Sequence, residues 1–206
     1  MKKENFLSAI TELRKSKKRN FEQTIDLIIN LCSFDVKKES INIFVTLPYL
    51  ATKKKICAFL EHKSNIFDTI TKKEFDSYKG KELKKLVKKY DFFAANAKLM
   101  PSVATAFGKV LGPAGKMPSP KLGIVTTEDE KALSQLKEKI EKIVHIKTKE
   151  SSIKVAIGKE SMPDEQIAEN SFTVYHSVIE TLPRKKENIK NVMLKLTMSK
   201  PVRVEE

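Results

Sequence analysis

The sequence contains few of the residues that build disulfide frameworks and has no long hydrophobic runs. Its 206 residues include two cysteines, six glycines and no tryptophan. No apolar run approaches the roughly 18 residues of a membrane-spanning helix, which excludes an integral membrane protein. Cys32 and Cys57 lie in apolar stretches without metal-ligand spacing, so we expect buried, reduced thiols in a cytosolic protein. No apolar signal region follows residues 1–6, and we therefore expect no secretion.

Motifs for catalysis and nucleotide binding are also missing. The histidines, His62, His145 and His176, are far apart in the sequence and form no paired-ligand pattern. A phosphate-binding loop ending at Lys116 fails at two fixed positions, where Val110 replaces glycine and Met117 replaces serine or threonine. Most carboxylates alternate with lysines, a pattern typical of solvated ion pairs. We expect no catalytic residues, no cofactor and no metal, and a nucleotide-dependent enzyme is the least favoured alternative.

Positive charge is abundant. The chain has 40 Lys and Arg against 26 Asp and Glu, a formal net charge of +14, while 40% of its residues are hydrophobic. A chain of this composition can bury a core, and its surplus charge attracts polyanions, of which nucleic acid is the commonest. A lysine-rich surface that only confers solubility is the alternative. Residues 51–144 hold 20 basic and 11 acidic residues, and the two terminal segments together hold 20 and 15.

Periodicity predicts a helix and two strands in the N-terminal part of the chain. The spacing of Phe6, Ala9, Ile10 and Leu13 is helical. Residues 21–31 alternate as a strand with Phe21 on the apolar face, and residues 41–47 form a second strand. A turn at residues 37–40 would join these two strands as a hairpin.

The middle of the chain alternates between short strands and helices, which favours a small, mostly parallel α/β layer. The predicted strands there are residues 55–60, 66–70 and 91–95, and the predicted helices are 80–89 and 99–110. Thr127 is the expected cap of a further helix over 128–144. The C-terminal part predicts strands at 145–148, 152–157 and 192–197 and a helix at 163–182.

A loop rich in glycine and proline is predicted at residues 111–120. It contains Gly112, Gly115 and Lys116. Such a loop is either a plain connector or a surface that presents backbone N–H groups and Lys116 to phosphates. The small polar groups of Thr24, Asp26 and residues 197–201 are candidates for reading base edges and 2′-hydroxyls of folded RNA.

Several ordered motifs resemble the universal large-subunit ribosomal protein family L-one, whose members form the mobile stalk of that name. The resemblance is closest to the archaeal branch. The matching motifs are YDFFA at 90–94, LMP at 99–101, LGPAGKMPSPK at 111–121, KRNFEQT at 18–24, LP at 47–48, IGKES at 157–161 and LTM at 196–198.

The resemblance implies a mixed α+β and α/β fold with two domains. Residues 1–50 and 145–206 would form a discontinuous α+β domain that binds ribosomal RNA. Residues 51–144 would form an inserted Rossmann-like α/β domain. Hinges near 48–51 and 144–149 would let the inserted domain swing.

The family also implies a function and its partners. The protein would be a structural constituent of the large ribosomal subunit in the cytoplasm, a monomer when free and unattached to membranes. It would bind the three-way junction of the stalk in large-subunit rRNA, take part in movement and release of exit-site tRNA, and repress translation of its own mRNA. A ribosome-assembly factor of the same fold is the alternative.

The implied RNA-binding residues come from both ends of the chain: Lys18, Phe21, Thr24, Asp26, Lys154, Lys159, Ser161, Asn191, Thr197, Met198, Ser199 and Lys200. Gly112, Gly115 and Lys116 would form a secondary loop near RNA or tRNA. Phe21 would stack or pack at the RNA surface, or would be a core aromatic. Ser199 departs from the family, which usually has glycine there; if that glycine needs a positive φ, Ser199 would be strained or the turn would shift.

Overall fold

A computed structural model of the chain describes residues 1–15, 17, 19–35, 39, 41–78, 80–119, 122–125, 128–148 and 150–205. The helices are α1 (Lys3–Arg14), α2 (Lys81–Lys89), α3 (Met100–Ala114), α4 (Glu130–Lys142) and α5 (Asp164–Thr181). The strands are β1 (Thr24–Leu31), β2 (Asn42–Thr46), β3 (Ile56–Phe59), β4 (Asp68–Ile70), β5 (Phe92–Asn96), β6 (Ile124–Val125), β7 (Ile143–Lys147), β8 (Ser152–Lys159), β9 (Ile189–Leu196) and β10 (Val202–Arg203). The predicted turn at 37–40 and the predicted cap Thr127 lie wholly or mostly outside the described residues.

The chain divides into two compact units. Unit 1 comprises Met1–Thr52 and Lys142–Glu206, and unit 2 comprises Lys53–Glu141. The mixed fold class is confirmed, because an antiparallel sheet with helices is built from both chain ends and a parallel α/β unit is inserted between them.

The main sheet of unit 1 has the strand order β10-β9-β1-β8 and is antiparallel. Alternate residues of β1 are buried, and these are Ile25, Leu27, Ile29 and Leu31. They share one hydrophobic core with apolar residues of α1 and α5. The period-2 pattern of β1 therefore directs its aliphatic side chains toward the helices and leaves its polar side chains on the opposite face.

The predicted hairpin of the first two strands is wrong. Strand β1 pairs with β8 and β9, whereas β2 pairs with β7 in a separate two-stranded antiparallel sheet. Alternation along a strand shows which face is apolar but not which strand lies beside it, since long-range partners bury the same face equally well. The predicted helix 128–144 also ends early, because residues 143 and 144 belong to β7.

Unit 2 contains a parallel sheet with the order β4-β3-β5-β6. All four residues of β3 are buried, which is typical of a parallel strand covered on both faces. Phe59 on this strand packs against Phe93 and Phe107, with ring centroids 5.8 and 4.9 Å away. Burial raises the pKa of Cys57 to about 12, so this thiol is inert at neutral pH. Cys32, which we expected to be buried, is only half-buried.

The predicted loop at 111–120 is helical in its first part. Helix α3 continues to Ala114, and Gly115 ends it in the left-handed conformation with φ of 69°. The backbone N–H groups of Gly115 and Lys116 donate to the carbonyls of Gly112 and Leu111, as at many helix C-termini. These N–H groups are therefore occupied within the helix end and are not presented to a ligand.

The segment that follows β2 is fixed to unit 1 by Asn170. This buried residue of α5 accepts a hydrogen bond from the backbone N–H of Tyr49 at 3.1 Å and donates to the carbonyl of Tyr49 at 3.1 Å. It also donates to the carbonyl of Ile157 at 2.9 Å. Ala51 is buried in the core of unit 1. Both predicted hinge segments, 48–51 and 144–149, thus lie inside the bounds of unit 1, and their proposed motion stays a prediction.

We predict that Asn170→Ala lowers the free energy of unfolding of unit 1 by about 2–3 kcal/mol, because it removes the hydrogen bonds to the buried carbonyl of Ile157 and to both backbone groups of Tyr49. Scanning calorimetry measures the change. Asn20→Ala, at an exposed position of the same unit, is the control and should leave the transition unchanged. Equal transitions for the two variants would show that Asn170 does not hold this segment.

Candidate nucleic-acid interface

The face of the unit 1 sheet opposite the helices carries polar, half-buried side chains. Thr24, Asp26 and Asn30 lie on this face of β1, with Ile28 between the last two. Register places Lys195 of β9 beside Asp26, and Asn191 beside Asn30. Asn30 Nδ2 donates to Asn191 Oδ1 at 2.7 Å, so these two amides are held in fixed orientations. Fixed amide and carboxylate groups on a sheet can read hydrogen-bond donors and acceptors of a base or a ribose.

A tight turn closes this face at the end of β9. Thr197 Oγ1 accepts from the backbone N–H of Thr24 at 3.2 Å, and the N–H of Thr197 donates to the Thr24 carbonyl at 3.1 Å. The turn is therefore tied to the first residue of β1. Met198 follows with its side chain 61% exposed.

Gln23 links this turn to the end of β8. Its buried amide accepts from the backbone N–H of Met198 at 3.1 Å and donates to Glu160 Oε2 at 3.3 Å. Its backbone carbonyl accepts from the N–H of Glu160 at 2.8 Å. Three chain segments distant in sequence are thus joined at one end of the sheet by one side chain.

Charged groups surround the same end of the sheet. Lys159 Nζ donates to Glu22 Oε2 at 2.6 Å, and the hydroxyl of Ser161 donates to Glu22 Oε1. The side-chain hydrogen bond from Lys159 is the main cause that lowers the pKa of Glu22, and the bond from Ser161 adds to it. Glu22 therefore orients the lysine and the serine, both of which the family resemblance implies as RNA contacts.

Phe21 is 52% exposed and precedes β1, so it is not the core aromatic of the alternative interpretation. The prediction that Phe21 begins the apolar face of the strand is wrong. Phe21 and Met198 are two of the four large hydrophobic side chains that the described part of the chain exposes. Exposed apolar groups beside a polar cluster are suited to stacking against bases or sugars.

The structure brings most of the predicted residues into one region, the polar sheet face and its end. Lys18 lies outside the described residues. Thr24, Asp26, Lys154 and Asn191 lie on the strands, and Lys159, Ser161, Thr197 and Met198 lie at or beside the sheet end. Ser199 and Lys200 complete the turn. Their contacts with RNA stay predictions.

Lys116 has a different environment from the one predicted. Its Nζ donates to the carbonyl oxygens of Val87 and Tyr90 at 2.9 and 2.7 Å. It therefore neutralises the C-terminus of α2 and does not extend toward a phosphate. Gly112 and Gly115, in the last turn and cap of α3, belong to unit 2, whereas the polar sheet face belongs to unit 1.

Ser199 does not carry the strain that a positive φ would impose. The described residues other than glycine with a positive φ are Ser33 and Lys185. Ser199 Oγ accepts from the backbone N–H of Leu196 at 3.0 Å, and its own N–H donates to the Leu196 carbonyl at 3.1 Å. The hydroxyl thus joins the hydrogen bonds of the turn at the position where the family resemblance implies glycine.

Sequence reasoning missed the residues that organise this site. Alternation over residues 21–31 puts Gln23 on the apolar face of the strand and Glu22 on its polar face, and the motif at 18–24 contains both without giving either a role. A polar residue at an alternating apolar position is a recognisable signal, because a buried amide needs hydrogen-bond partners. The carboxylate of Glu22 gave no comparable signal, since it finds Lys159 only after folding.

Burial raises the pKa of Asp26 above its ordinary value, and the nearby charge of Lys195 offsets only part of this effect. The ionised carboxylate is therefore less stable on the sheet than in the unfolded chain. In the free protein, Lys195 only partly offsets the loss of water around the Asp26 carboxylate. This carboxylate is therefore suited to accept hydrogen bonds from the donors of a ligand.

Among the described residues, no cluster of histidine, cysteine and acidic side chains could hold a metal ion. No helix in the described part of the chain is long and apolar enough to cross a membrane.

Comparison with known proteins gives consistent matches. A family model described as "Ribosomal protein L1p/L10e family" matches residues 13–200. Large ribosomal subunit protein uL1 of Nanoarchaeum equitans is 38% identical over 206 residues, which cover 95% of this chain and 97% of the relative. The protein of that name from Thermococcus kodakarensis is 33% identical over 217 residues, with 98% of each chain covered. That of Methanothermococcus thermolithotrophicus is 33% identical over 219 residues and all of both chains.

These matches and the two-unit fold define a ribosomal protein, a structural rather than an enzymatic class. The chain belongs to the ribosomal protein L1p/L10e family. The resemblance stated from the sequence motifs, including its archaeal character, is therefore confirmed, and so is the prediction that the chain is not an enzyme.

We predict that Asp26→Asn raises the melting temperature at pH 7. The folded-state pKa of Asp26 is raised, so ionisation of this group costs stability above that pKa, and the neutral amide removes the cost. The advantage should shrink as the pH falls and disappear below about pH 4, where the wild-type carboxyl is also neutral. Thermal denaturation at a series of pH values measures it.

Glu205→Gln is the matched control, because it removes one negative charge from an exposed side chain of the same unit. Its effect on the melting temperature should be small. A lower melting temperature for Asp26→Asn at pH 7, or a gain that persists at pH 3, would contradict the assignment of a half-buried, incompletely compensated carboxylate.

Proposed function

We propose that this chain is a structural constituent of the large ribosomal subunit that binds the three-way junction of the stalk in large-subunit rRNA. Its relatives of similar length are named large ribosomal subunit proteins. The observation that supports the RNA-binding role is the meeting of the Thr197–Met198 turn, Gln23 and the Lys159–Ser161 segment at one end of the unit 1 sheet.

At this end of the unit 1 sheet, some side chains are suited to bind phosphates and others to recognise bases or riboses. Lys159 offers a charge to a phosphate, which would need to compete with Glu22 for the ammonium. The exposed Phe21 and Met198 offer apolar surface to a splayed base or a ribose. Asp26 accepts from 2′-hydroxyls or base amino groups and cannot bind a phosphate, so its presence favours recognition of a specific folded RNA over general attraction.

The proposal extends to the dynamic roles implied by the family resemblance. Unit 2 would move with the stalk and assist the movement and release of exit-site tRNA, and the unit 1 site would also bind a similar motif in the chain's own mRNA and repress its translation. The basic surplus of residues 51–144 supports contact of unit 2 with RNA. In the cytoplasm the protein would be found on the large subunit, and free protein would be a monomer.

We predict that Met198→Ala weakens binding to a stalk rRNA fragment by about 1–3 kcal/mol, the cost of losing one good base-level contact. The exposed side chain leaves no buried cavity behind, so stability should not change. Filter binding or calorimetry at fixed salt measures the affinity. Binding to an unrelated hairpin should be unaffected, because that interaction depends on charge.

Thr197→Ala should weaken binding over the same range, and Thr181→Ala, an exposed threonine at the end of α5, is its control. If the wild-type protein binds the stalk fragment no better than the hairpin, the proposed function is wrong. Sedimentation of cell extracts provides an independent test: cosedimentation with translating ribosomes is expected, and confinement to precursor particles would instead indicate an assembly factor.

A further inference from the structure

Unit 2 has a cavity at the edge of its sheet where ligands bind in many α/β proteins. Strand β3 is central: the chain passes from β3 to β4 on one side, and then to β5 on the other side of β3. The strand order therefore reverses between β3 and β5, which is the topological switch point of the sheet. In open parallel sheets, this point at the carboxyl ends of the strands forms a crevice.

A cavity of about 650 Å³ lies there and is lined by residues that follow each of the three strands. Its cationic side chains are Lys63 after β3, Lys72 and Lys73 after β4, and Lys98 after β5. Glu61 is the acidic residue among its lining side chains. Because the lysines come from three separate connections, their convergence is a property of the fold and not of one basic run in the sequence.

The cavity does not suit a nucleotide. The backbone N–H groups of Glu61 and His62, directly beyond β3, already donate to the carboxylate of Glu128 at 2.8 and 3.2 Å. Asn96 Nδ2 donates to the same carboxylate at 2.6 Å. Burial alone would raise the pKa of Glu128, but these hydrogen bonds outweigh it and hold the pKa below its ordinary value. An internal anion therefore occupies the N–H groups that a nucleotide phosphate would need.

The lining also offers little surface to a base. Among the described lining residues, Leu99 is the one aliphatic side chain and His62 the one ring, and no phenylalanine or tyrosine contributes. Lys72, Lys73 and Lys98 are exposed. An exposed, cationic cavity without an apolar floor matches successive phosphates of a polynucleotide backbone better than it matches a mononucleotide.

We propose that this lysine-lined cavity of unit 2 binds the phosphodiester backbone of RNA independently of its sequence. The contact is separate from the polar face of unit 1 and adds affinity without adding specificity. The lysines release counterions from the RNA as they bind phosphates, so the contact should make binding strongly dependent on salt.

The test compares two triple variants of the full chain. Lys72→Gln/Lys73→Gln/Lys98→Gln removes three charges from the cavity, and Lys84→Gln/Lys85→Gln/Lys88→Gln removes three exposed charges from α2 of the same unit. The probe is a 20-nucleotide oligouridylate, titrated over a series of salt concentrations. Thermal denaturation verifies that both variants remain folded.

The cavity variant should weaken oligouridylate binding roughly tenfold and reduce the slope of log affinity against log salt by about 1–2, since each phosphate contact on a single strand contributes about 0.7. The α2 variant should change both quantities by less than half as much. Lys72→Arg/Lys73→Arg/Lys98→Arg keeps the charge and should bind like wild type. Equal losses in the two glutamine variants would overturn the proposal and indicate general charge attraction.

A second arm uses ATP as a competitor. ATP should compete with oligouridylate only weakly, whereas micromolar binding of ATP that the cavity variant abolishes would identify a nucleotide site and overturn the proposal.

A third arm separates this inference from the proposed function of unit 1. The cavity variant should preserve the preference for stalk RNA over an unrelated hairpin, and Met198→Ala should preserve the salt slope with oligouridylate.

Discussion

The pairing of β1 with two strands that lie far away in the chain is the constraint on which the candidate RNA-binding site depends. Strand β1 is central in its sheet, with β8 on one side and β9 on the other. Each group of the site is contributed by one of these three strands or by the residues directly beyond them. Without this pairing, Gln23 could not reach Met198 and Glu160, and Glu22 could not reach Lys159. The insertion of unit 2 is compatible with this sheet because it enters after β2 and leaves before β7, so it does not interrupt the three strands.

The site combines well-satisfied positioning groups with exposed recognition groups. Gln23 is buried with both polar side-chain atoms hydrogen-bonded, and the described residues contain no buried side-chain polar atom without a partner. Phe21 and Met198 are the opposite case, since they expose apolar surface that folding alone does not require. Such an arrangement reduces the conformational entropy that binding must remove, because the turn and the amides are already ordered. Asp26 shows the associated cost, since its half-buried carboxylate is suited to a ligand and less to the free protein.

The sequence supports the prediction of local elements better than the prediction of their partners. Apolar patterning predicts α1, β1, β3, β5 and α2 near their observed positions, because burial leaves a direct signal in the sequence. The wrong hairpin shows what periodicity omits, since β1 buries the same residues whichever strands flank it. The short strands β6 and β10 have too few residues to show a period.

Among site residues, Thr24 and Thr197 could be predicted from motif resemblance, but the role of Lys116 could not. Its hydrogen bonds to Val87 and Tyr90 join positions whose proximity only the folded unit reveals.

The inserted unit has a fold that is common among nucleotide-binding domains, but the fold alone does not define its function. Its parallel sheet and switch point have the form of a nucleotide-binding domain, yet Glu128 occupies the backbone N–H groups beyond β3 with a carboxylate of its own. The carboxylate satisfies the same donors that a phosphate would satisfy, and it holds the connection after β3 in place without any ligand. Cationic groups then remain around the crevice rather than inside a closed pocket.

The charge of the chain is unevenly divided between its two parts. Residues 51–144 carry the larger basic surplus, while the terminal segments, with 20 basic and 15 acidic residues, contain the polar groups suited to discrimination between RNA sequences. Under the proposed function, attraction and recognition would therefore belong to different parts of the chain, as expected where phosphate contacts position a nucleic acid and a few polar side chains read it.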